Sequence, residues 1–391
     1  MALLIRAIVV GGGIGGLSAA IALRQVGVEV AVFEKAGELR EIGAGISLWA
    51  NAMKALRKLG LYDTVLAVGK HLHPKGELRS PNGRVFYEMP SPAIEERFGG
   101  TTMVVHRADL QKTLCAALGK EAIRPGAEVT GFEQDKRGVV ARFAAGGREE
   151  RCELLIGADG LHSTIRGQLL GDGPPLYAGY IAWRGVAELG DEPFPGGGAF
   201  ETWGRGERFG LVKLGRRRVY WYATQNVPEG EEKAGPGRKA VLLARFGGWH
   251  EPIPSGVEAT EESDIHFDGV YYREPATRWG EGRVTLLGDA AHPMTPDLGQ
   301  GACQAIEDAV VLARSLGERG DDAAAALRLY EDRRKERTAS VVRQSRRLGR
   351  IGQLENPLLC RLRDTALRAL PKRVQLSAQL RQMEPIVGYE A

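Results

Sequence analysis

Three separated stretches of the chain carry glycines and carboxylates at spacings that suit a nucleotide cofactor. In the first stretch, Gly11, Gly13 and Gly16 fit the pattern G-x-G-x-x-G. There the first glycine makes a tight turn, the second lets the backbone approach a pyrophosphate, and the third lets a helix pack on a strand. Glu34 follows about 20 residues later, where a carboxylate can accept both hydroxyls of an adenosine ribose. These residues predict a dinucleotide site and leave the choice between NAD(P) and FAD open.

Two further motifs place single carboxylates directly after apolar runs. GADGLHSTIR occupies residues 157–166, and GDAAHPMTPDLGQG occupies residues 288–301. An apolar run bounded by turn residues is typical of a buried strand, and ligands collect at the carboxyl ends of parallel strands. We therefore expect Asp159 and Asp289 to lie at one edge of a sheet beside the first motif.

Hydrophobic periodicity predicts the elements that position these motifs. The expected elements are a strand over 7–10, a helix from Ile14, a strand over 29–33, a helix through Ala52, Leu56 and Leu59, short hairpin strands within 72–100, a helix within 104–118 with Arg107 immediately before it, strands over 128–143 and 150–156, a buried strand over 283–287, a helix from near Gly301, and arginine-rich C-terminal helices.

A second group of short runs, rich in β-branched and aromatic residues and separated by glycine and proline clusters, predicts an antiparallel sheet. These runs lie at 180–186, 199–203, 209–214 and 218–224. Five of the six tryptophans lie between Trp183 and Trp279, so we expect aromatic side chains to form the floor of a ligand cavity.

Composition excludes several other classes of protein. The chain has 391 residues, is 43% hydrophobic and carries a net charge of +4, which indicates a globular protein without the one-sided basic face of a nucleic-acid binder. No apolar run approaches the roughly 20 residues of a membrane span, and the first strand begins too early for a signal peptide. The four cysteines are widely spaced, so we expect free thiols, no bound metal and a cytoplasmic location.

Taken together, the three motifs make the sequence resemble the single-component FAD-dependent aromatic hydroxylases, which include para-hydroxybenzoate, salicylate and urate hydroxylases and, more distantly, zeaxanthin epoxidase. The resemblance implies a mixed α/β fold with a Rossmann-type FAD-binding domain, an inserted β-sheet substrate domain and C-terminal helices. The expected segments are FAD-binding domain parts at 1–71, 101–175 and 276–325, a substrate-domain excursion at 72–100, the substrate domain at 176–275 and a helical segment at 326–391.

The resemblance also implies the reaction. FAD is the cofactor and NAD(P)H the co-substrate, bound without a second Rossmann unit. A flavin C4a-hydroperoxide formed with O2 hydroxylates a small aromatic or conjugated-ring substrate, in a monomer or a homodimer. Two alternatives stay open: a flavin-dependent reductase or dehydrogenase of the same fold, and a non-catalytic dinucleotide-binding redox sensor.

The residues implied to contact FAD lie in the three motifs and at scattered positions between them. They are Gly11, Gly13, Ile14, Gly15, Gly16, Glu34, Lys35, Arg40, Gly45, Arg107, Val129, Asp159, Asp289, Gly299, Gln300, Gly301 and Ala302. A helix that begins near Gly301 would direct its positive end at the flavin and stabilise the negative charge of the reduced ring.

Three residues are implied to act at the substrate. Arg208 and Tyr220 match by spacing a substrate-contacting pair of the urate-hydroxylating branch, and such a pair suits an anionic substrate. Pro296 stiffens the loop that bounds the cavity. We interpret His292 as a loop anchor, because the reaction does not demand a base.

Four other positions receive weaker expectations. Trp183 and Arg184 are further candidates for the substrate site, and Glu307 and Asp308 are expected to be surface or packing residues. The C-terminal arginines are expected to lie on a solvated helical face.

Overall fold

The computed structural model describes residues 5–39, 45–71, 75–189, 199–214, 217–231, 237–319 and 322–391. Arg40, one of the residues expected to contact FAD, lies outside the described residues. No described helix is long and apolar enough to cross a membrane.

The described strands, in chain order, are β1 (Arg6–Val10), β2 (Glu29–Glu34), β3 (Gly45–Leu48), β4 (Lys70–His71), β5 (Lys75–Arg79), β6 (Val85–Pro90), β7 (Met103–His106), β8 (Ile123–Pro125), β9 (Val129–Asp135), β10 (Gly138–Phe143), β11 (Glu149–Cys152), β12 (Leu154–Gly157), β13 (Leu176–Glu188), β14 (Ala199–Trp203), β15 (Glu207–Lys213), β16 (Arg218–Asn226), β17 (His266–Tyr272), β18 (Gly280–Glu281) and β19 (Val284–Leu286).

The α-helices of the same ranges are α1 (Ile14–Gln25), α2 (Ala50–Lys58), α3 (Tyr62–Val68), α4 (Ser91–Phe98), α5 (Arg107–Leu118), α6 (Thr164–Leu170), α7 (Arg238–Phe246), α8 (Ile253–Glu258), α9 (Gly301–Glu318), α10 (Ala323–Gly352), α11 (Pro357–Ala369) and α12 (Lys372–Val387).

A six-stranded sheet in the order β18-β19-β12-β1-β2-β8 brings the three motifs together. β1 pairs in parallel with β12 and β2, and β12 pairs in parallel with β19. The apolar runs of these strands are almost fully buried, as expected when both faces of a parallel sheet are covered. Because each motif follows one of three adjacent strands, all three meet at the carboxyl edge of the sheet, which confirms the predicted Rossmann-type arrangement.

A seven-stranded sheet in the order β17-β13-β16-β15-β14-β5-β6 forms the second layer. The side chains of β16 alternate: Val219 and Trp221 are buried, while Tyr220 and Tyr222 are partly accessible on the other face. Helices α7 and α8 cover the buried face, and their Phe246 packs with Phe209 of β15. The opposite face is free to line a cavity.

Four of the five tryptophans between Trp183 and Trp279 do not lie on the expected aromatic floor. Trp183 and Trp221 are buried in the core under α7 and α8, and Trp249 packs against that core. Trp279 belongs to the core of the six-stranded sheet. The expectation is wrong because large aromatic side chains gain most by full burial between sheet and helices; tyrosines occupy the accessible face instead.

Residues 72–100 are only partly hairpin. β5 and β6 pair across the turn at Gly83, and β5 lies beside β14 in the seven-stranded sheet. The expectation of strands throughout is wrong at α4. Pro92 is compatible with a first helical turn, and Ile94 and Phe98, four residues apart, pack against α12.

The C-terminal arginines are not all on a solvated face. Helix α10 has 30 residues and packs against α9, and its Arg334 is fully buried. The expectation is wrong for Arg334 because two buried carboxylates of α9 neutralise its charge.

Candidate active site

The glycines of the first motif build a turn that leaves room for a ligand. Gly11 has φ +109°, and a Cβ atom there would lie 2.4 Å from the carbonyl oxygen of Ala158. A Cβ atom on Gly16 would lie 2.0 Å from the carbonyl oxygen of Gly11, whereas one on Gly13 would meet nothing within 4 Å. Helix α1 begins directly after Gly13 without a side-chain cap, so its first N–H groups are free to bind an anion.

Glu34 ends β2 beside this turn. Its carboxylate accepts hydrogen bonds from the backbone N–H groups of Gly12 at 2.8 Å and Ala36 at 2.9 Å. These bonds fix the carboxylate at the mouth of the turn, where the predicted ribose contact requires it. Lys35 follows at the end of the strand, and Val129 is a buried residue at the start of β9.

Asp159 shapes the second motif. Its carboxylate accepts hydrogen bonds from Ser163 Oγ at 2.5 Å and from the N–H groups of Thr164 at 2.7 Å and Ile165 at 3.3 Å. Burial raises the pKa of Asp159, and these hydrogen bonds oppose the shift. The side chain therefore caps α6, and its contact with FAD stays a prediction.

Asp289 and the start of α9 face each other across the third motif. Asp289 keeps an accessible surface. Loss of hydration next to the protein raises the pKa of its carboxyl, while the charges of His292 and Arg107 oppose the shift. A Cβ atom on Gly301 would lie 3.9 Å from Asp289 Oδ1. Helix α9 begins at Gly301, as predicted, and has no side-chain cap.

Two buried side-chain atoms that lack a hydrogen-bond partner lie beside this helix start. Trp49 Nε1 and Asn51 Oδ1 are buried without a hydrogen-bond partner. A Cβ atom on Gly299 would lie 3.3 Å from Trp49 Nε1, and Asn51 Nδ2 donates to Gln300 Oε1 at 3.0 Å. A free donor, a free acceptor and the uncapped N–H groups of α9 together fit a heteroaromatic ring such as the flavin pyrimidine.

Behind the helix start lies an ion cluster whose parts are fully buried. Arg334 Nε donates to Asp308 Oδ1 at 2.6 Å, and Arg334 Nη1 donates to Glu307 Oε2 at 2.5 Å. Asp308 Oδ2 also lies 2.6 Å from His292 Nε2 and accepts the N–H of Gly288 at 3.0 Å. The expectation of packing residues at 307 and 308 is confirmed, the surface alternative is wrong, and His292 is a loop anchor as interpreted.

These contacts set the charge state of Asp308. Burial alone would raise its pKa, but His292, Arg334 and the Gly288 N–H lower it to about 2. The carboxylate is therefore ionised at neutral pH and holds the third motif against α10.

The accessible face of the seven-stranded sheet lies against the cofactor crevice. A Cβ atom on Gly45 would lie 2.5 Å from the ring of Tyr220, so this glycine lets the sheet approach the elements around Trp49. Arg208 lies on the same face and is only 3% exposed. Tyr220 pairs in register with Val212, and Arg208 with Thr224, which leaves Tyr222 between Arg208 and Tyr220.

Arg208 is held by acidic and amide groups of other elements. Its Nη2 donates to Asp297 Oδ1 at 2.5 Å and its Nε to Gln353 Oε1 at 2.8 Å, while its Nη1 lies 3.3 Å from Glu201 Oε1. Tyr180 donates its hydroxyl to Asp297 Oδ2 at 2.9 Å. These contacts fix the guanidinium of Arg208 between two carboxylates, and the expected role of Arg208 and Tyr220 at the substrate stays a prediction.

Two glycines of α10 make the network possible. A Cβ atom on Gly349 would lie 2.5 Å from Asp297 Oδ2, and one on Gly352 would lie 2.9 Å from Arg208 Cδ. Pro296 is the first residue of a one-turn 3₁₀ helix, Pro296–Leu298, which contains Asp297. Its rigid φ angle therefore positions a carboxylate.

Sequence reasoning missed several residues of this network. They are Tyr180, Glu201, Tyr222, Asp297, Gln353, Gly349 and Gly352. Asp297 stands inside the quoted third motif, and Glu201 is a lone charge in the apolar strand AFETW, so both carried a usable signal. Gln353 and the two glycines carried none, because α10 approaches the sheet only in the folded chain.

Comparisons with known proteins agree with this geometry. Residues 5–177 and 215–345 match the family described as FAD binding domain. The chain is 43% identical over 363 residues to aurachin C monooxygenase/isomerase of Stigmatella aurantiaca, covering 93% of this chain and 94% of that protein. It is 37% identical over 344 residues to FAD-dependent urate hydroxylase of Klebsiella pneumoniae subsp. pneumoniae, covering 88% and 89%.

A solved structure shows the same fold. Klebsiella pneumoniae HpxO complexed with FAD and uric acid superposes with a TM-score of 0.91 at 32% identity, covering 98% of each chain. The family match and the named relatives fit the glycine turn and the uncapped helix starts described above. The chain belongs to the FAD binding domain family as an FAD-dependent monooxygenase of the aromatic hydroxylase type.

Proposed function

We propose that the protein uses FAD, NAD(P)H and O2 to hydroxylate a small aromatic or conjugated-ring compound in the space between the α9 helix start and the tyrosine face of the seven-stranded sheet. The observation that carries this proposal is the contact of Tyr220 with Gly45, since it sets a polar substrate face directly against the cofactor crevice. The named relatives, which include a urate hydroxylase, support a ring substrate.

The residues proposed to hold FAD divide by the part of the cofactor they suit. The turn at Gly11–Gly16 suits the pyrophosphate, Glu34 suits the ribose, and Asp289 suits the ribityl region. The helix start at Gly299–Ala302 suits the flavin ring. Arg107, whose charge lowers the pKa of Asp289, is close enough to assist there.

FAD, when bound and reduced, supplies the oxygen-activating chemistry. The tasks of the chain are to orient the ring substrate and to exclude water. Arg208 fixes Asp297, and Tyr180 hydrogen-bonds the same carboxylate. Burial, and then Asp297, raise the pKa of Tyr180 above its ordinary value, so the hydroxyl stays protonated and the Asp297 carboxylate stays fixed beside the cavity.

The NAD(P)H-binding site is proposed without a second dinucleotide fold. The described chain has one glycine turn of this type, and the three motifs follow three adjacent strands of the same sheet. Free cysteines at all four positions support the proposed cytoplasmic location. Whether the protein acts as a monomer or a homodimer stays a prediction.

Flavin retention tests the cofactor half of the proposal. We expect Asp289→Ala to purify folded but largely without flavin, because it removes the carboxylate opposite the α9 helix start. Asp268→Ala is the matched control, since Asp268 is half exposed and pairs with Arg184 on the seven-stranded sheet. Undiminished flavin in Asp289→Ala would contradict the assignment.

Oxygen labelling tests the reaction. Substrate-stimulated NAD(P)H oxidation with label from O2 in the product is the expected result. Oxidation without label in the product would favour the reductase or dehydrogenase alternative. A chain that binds NAD but takes up no FAD would favour the redox sensor.

A further inference from the structure

Glu201 is a second carboxylate on Arg208 that nothing in the hydroxylation chemistry requires. It lies in β14, whose neighbours Phe200 and Thr202 are buried on the helix-covered face. Alternation places Glu201 on the cavity face with Arg208 and Tyr222. The register confirms this placement, because Glu201 pairs with Gly210, and Gly210 pairs with Tyr222.

The two carboxylates on Arg208 are held very differently. Asp297 lies 2.5 Å from Arg208 Nη2, accepts the Tyr180 hydroxyl and has no exposed side-chain surface. Glu201 lies 3.3 Å from Arg208 Nη1, and 27% of its side chain is exposed. Asp297 is therefore sealed in the network, whereas the Glu201 side chain keeps accessible surface beside its long contact with Arg208.

The charges around Arg208 do not balance when both carboxylates are ionised. One guanidinium faces two carboxylates, so the network carries one negative charge in excess. Burial raises the pKa of the Glu201 carboxyl, and Arg208, Trp203 and Tyr222 oppose that shift. A group that donates a hydrogen bond to Glu201 would relieve the excess charge, and an anionic group would increase it.

The ring of Tyr222 turns this carboxylate into one edge of a slot. A Cβ atom on Gly210 would lie 2.2 Å from the Tyr222 ring and 2.5 Å from its hydroxyl oxygen, so the ring lies flat across Gly210. The Tyr220 ring, centred 6.2 Å from that of Tyr222 and tilted by 37° from it, continues this aromatic wall, and the Glu201 carboxylate is the acceptor beside it. Such a surface suits a planar ring that carries a donor on its edge.

We infer that Glu201 binds the substrate and selects uncharged rings that present an N–H or O–H donor, while it rejects rings that carry a carboxylate. The inference rests on the proposed function, because it assigns substrate choice to the same site. It replaces the expectation from the sequence that Arg208 recruits an anion, since Asp297 and Glu201 occupy the charged groups of that arginine.

Calorimetric titration of the FAD-loaded enzyme with three probes tests the inference. The probes are 2-pyridone, which has a ring N–H, N-methyl-2-pyridone, which lacks it, and salicylate, which is anionic. We expect 2-pyridone to bind at least about tenfold more tightly than either other probe, since a site built to receive a donor rejects an analogue that lacks it. Failure of the N–H probe to bind, or tighter binding of salicylate, would overturn the inference.

Two variants and a control assign the preference to Glu201. Glu201→Ala should bring the 2-pyridone to N-methyl ratio near one and improve salicylate binding. Glu201→Gln keeps an acceptor oxygen without the charge, so it should keep part of the N–H preference and lose the rejection of salicylate. Glu207→Gln is the control, because Glu207 also pairs with an arginine and also has a pKa raised by burial, but it lies on the adjacent strand beside Arg245 of α7.

Binding and turnover separate the two proposals. An unchanged probe ratio in Glu201→Ala overturns the inference even when ring hydroxylation occurs. A wild-type enzyme that shows the ratio but incorporates no oxygen keeps the role of Glu201 and contradicts the proposed reaction.

Discussion

Two arginines of the described chain, Arg334 and Arg208, are each buried between two carboxylates, and we propose a ligand site only at Arg208. Arg334, Glu307 and Asp308 have no exposed side-chain surface. Arg337 and Asn51 donate further hydrogen bonds to Glu307, and His292 lies within hydrogen-bond distance of Asp308. Around Arg208 one carboxylate is sealed in the same way, but Glu201 is partly exposed and holds a long contact.

The two clusters contain the same kinds of charged group and differ in whether protein encloses every carboxylate. A buried charge is tolerated when geometry and extra hydrogen bonds satisfy it completely, and the charged atoms of Arg334, Glu307 and Asp308 meet that condition. In the Arg208 network, by contrast, 27% of the Glu201 side chain is exposed. This difference in exposure is our reason for proposing a structural role for the Arg334 cluster and a ligand-binding role for the Arg208 network.

Removing the arginine of the closed cluster should have the largest effect on stability. We expect Arg334→Met to lower the free energy of unfolding by about 3–5 kcal/mol, because Glu307 and Asp308 would remain as buried charges without their central partner. Urea unfolding of the FAD-loaded protein measures this. Arg333→Met is the matched control, since Arg333 is 31% exposed and pairs with Glu318, and it should cost less than about 1 kcal/mol. Equal losses would show that the cluster is not the structural one.

Removing the arginine of the open network should instead act on turnover. We expect Arg208→Gln to lower kcat/KM by about 10- to 150-fold, equivalent to the 1.5–3 kcal/mol of a hydrogen bond to a charged group, because Asp297 loses its fixed partner. Flavin content should be unchanged. Arg218→Gln at the exposed start of the neighbouring strand is the control and should leave kcat/KM nearly unchanged. Loss of flavin in Arg208→Gln, or wild-type kinetics, would place this network outside the substrate site.

Acid should loosen the closed cluster at a defined pH. The pKa of Asp308 is lowered to about 2, so its ionisation stabilises the fold fully above its ordinary pKa of about 4 and this contribution is lost as pH falls through 2. The unfolding free energy of the wild type should therefore decrease between about pH 4 and pH 2. Asp308→Asn should be less stable at neutral pH and should show a shallower decrease over that range. Parallel curves would mean that Asp308 does not titrate in this window.

The placement of the three motifs that are proposed to hold FAD could be predicted from the sequence, because it depends on local structure. Gly11, Glu34, Asp159 and Asp289 each follow a strand within a few residues, so a strand, a turn and a helix start suffice to place them. Their meeting beside β19, β12 and β1 then follows from the rule that ligand-binding motifs lie at the carboxyl edge of a parallel sheet.

The substrate half could be predicted only in part. Alternation placed Tyr220 and Tyr222 opposite Trp221 correctly, because it is a property of one strand. The partners of Arg208 come from β14, α10 and the turn at Pro296, and their meeting depends on strand register and on the path of a helix more than 140 positions away, as Gln353 shows. Neither can be read from local periodicity.

A pair of helix glycines gives the finest test of the comparison, because one touches the open network and the other touches nothing. A methyl group on Gly349 would lie 2.5 Å from Asp297 Oδ2, whereas one on Gly317 of α9 would have its nearest neighbour, Val26 Cγ1, at 4.0 Å. Replacing glycine by alanine inside a helix stabilises it by up to about 1 kcal/mol, and Gly317→Ala should gain stability with unchanged kcat/KM.

Gly349→Ala should lose this gain, because Asp297 must move away from Arg208 and Tyr180. We expect a drop of about tenfold in kcat/KM, since small displacements of positioning groups are costly, with unfolding free energy within about 1 kcal/mol of the wild type. Thermal unfolding and steady-state kinetics on both variants provide the measurements. If Gly349→Ala behaved like Gly317→Ala, the Asp297 carboxylate would have room to shift without consequence, and the fixed position assigned to it beside the cavity would be refuted.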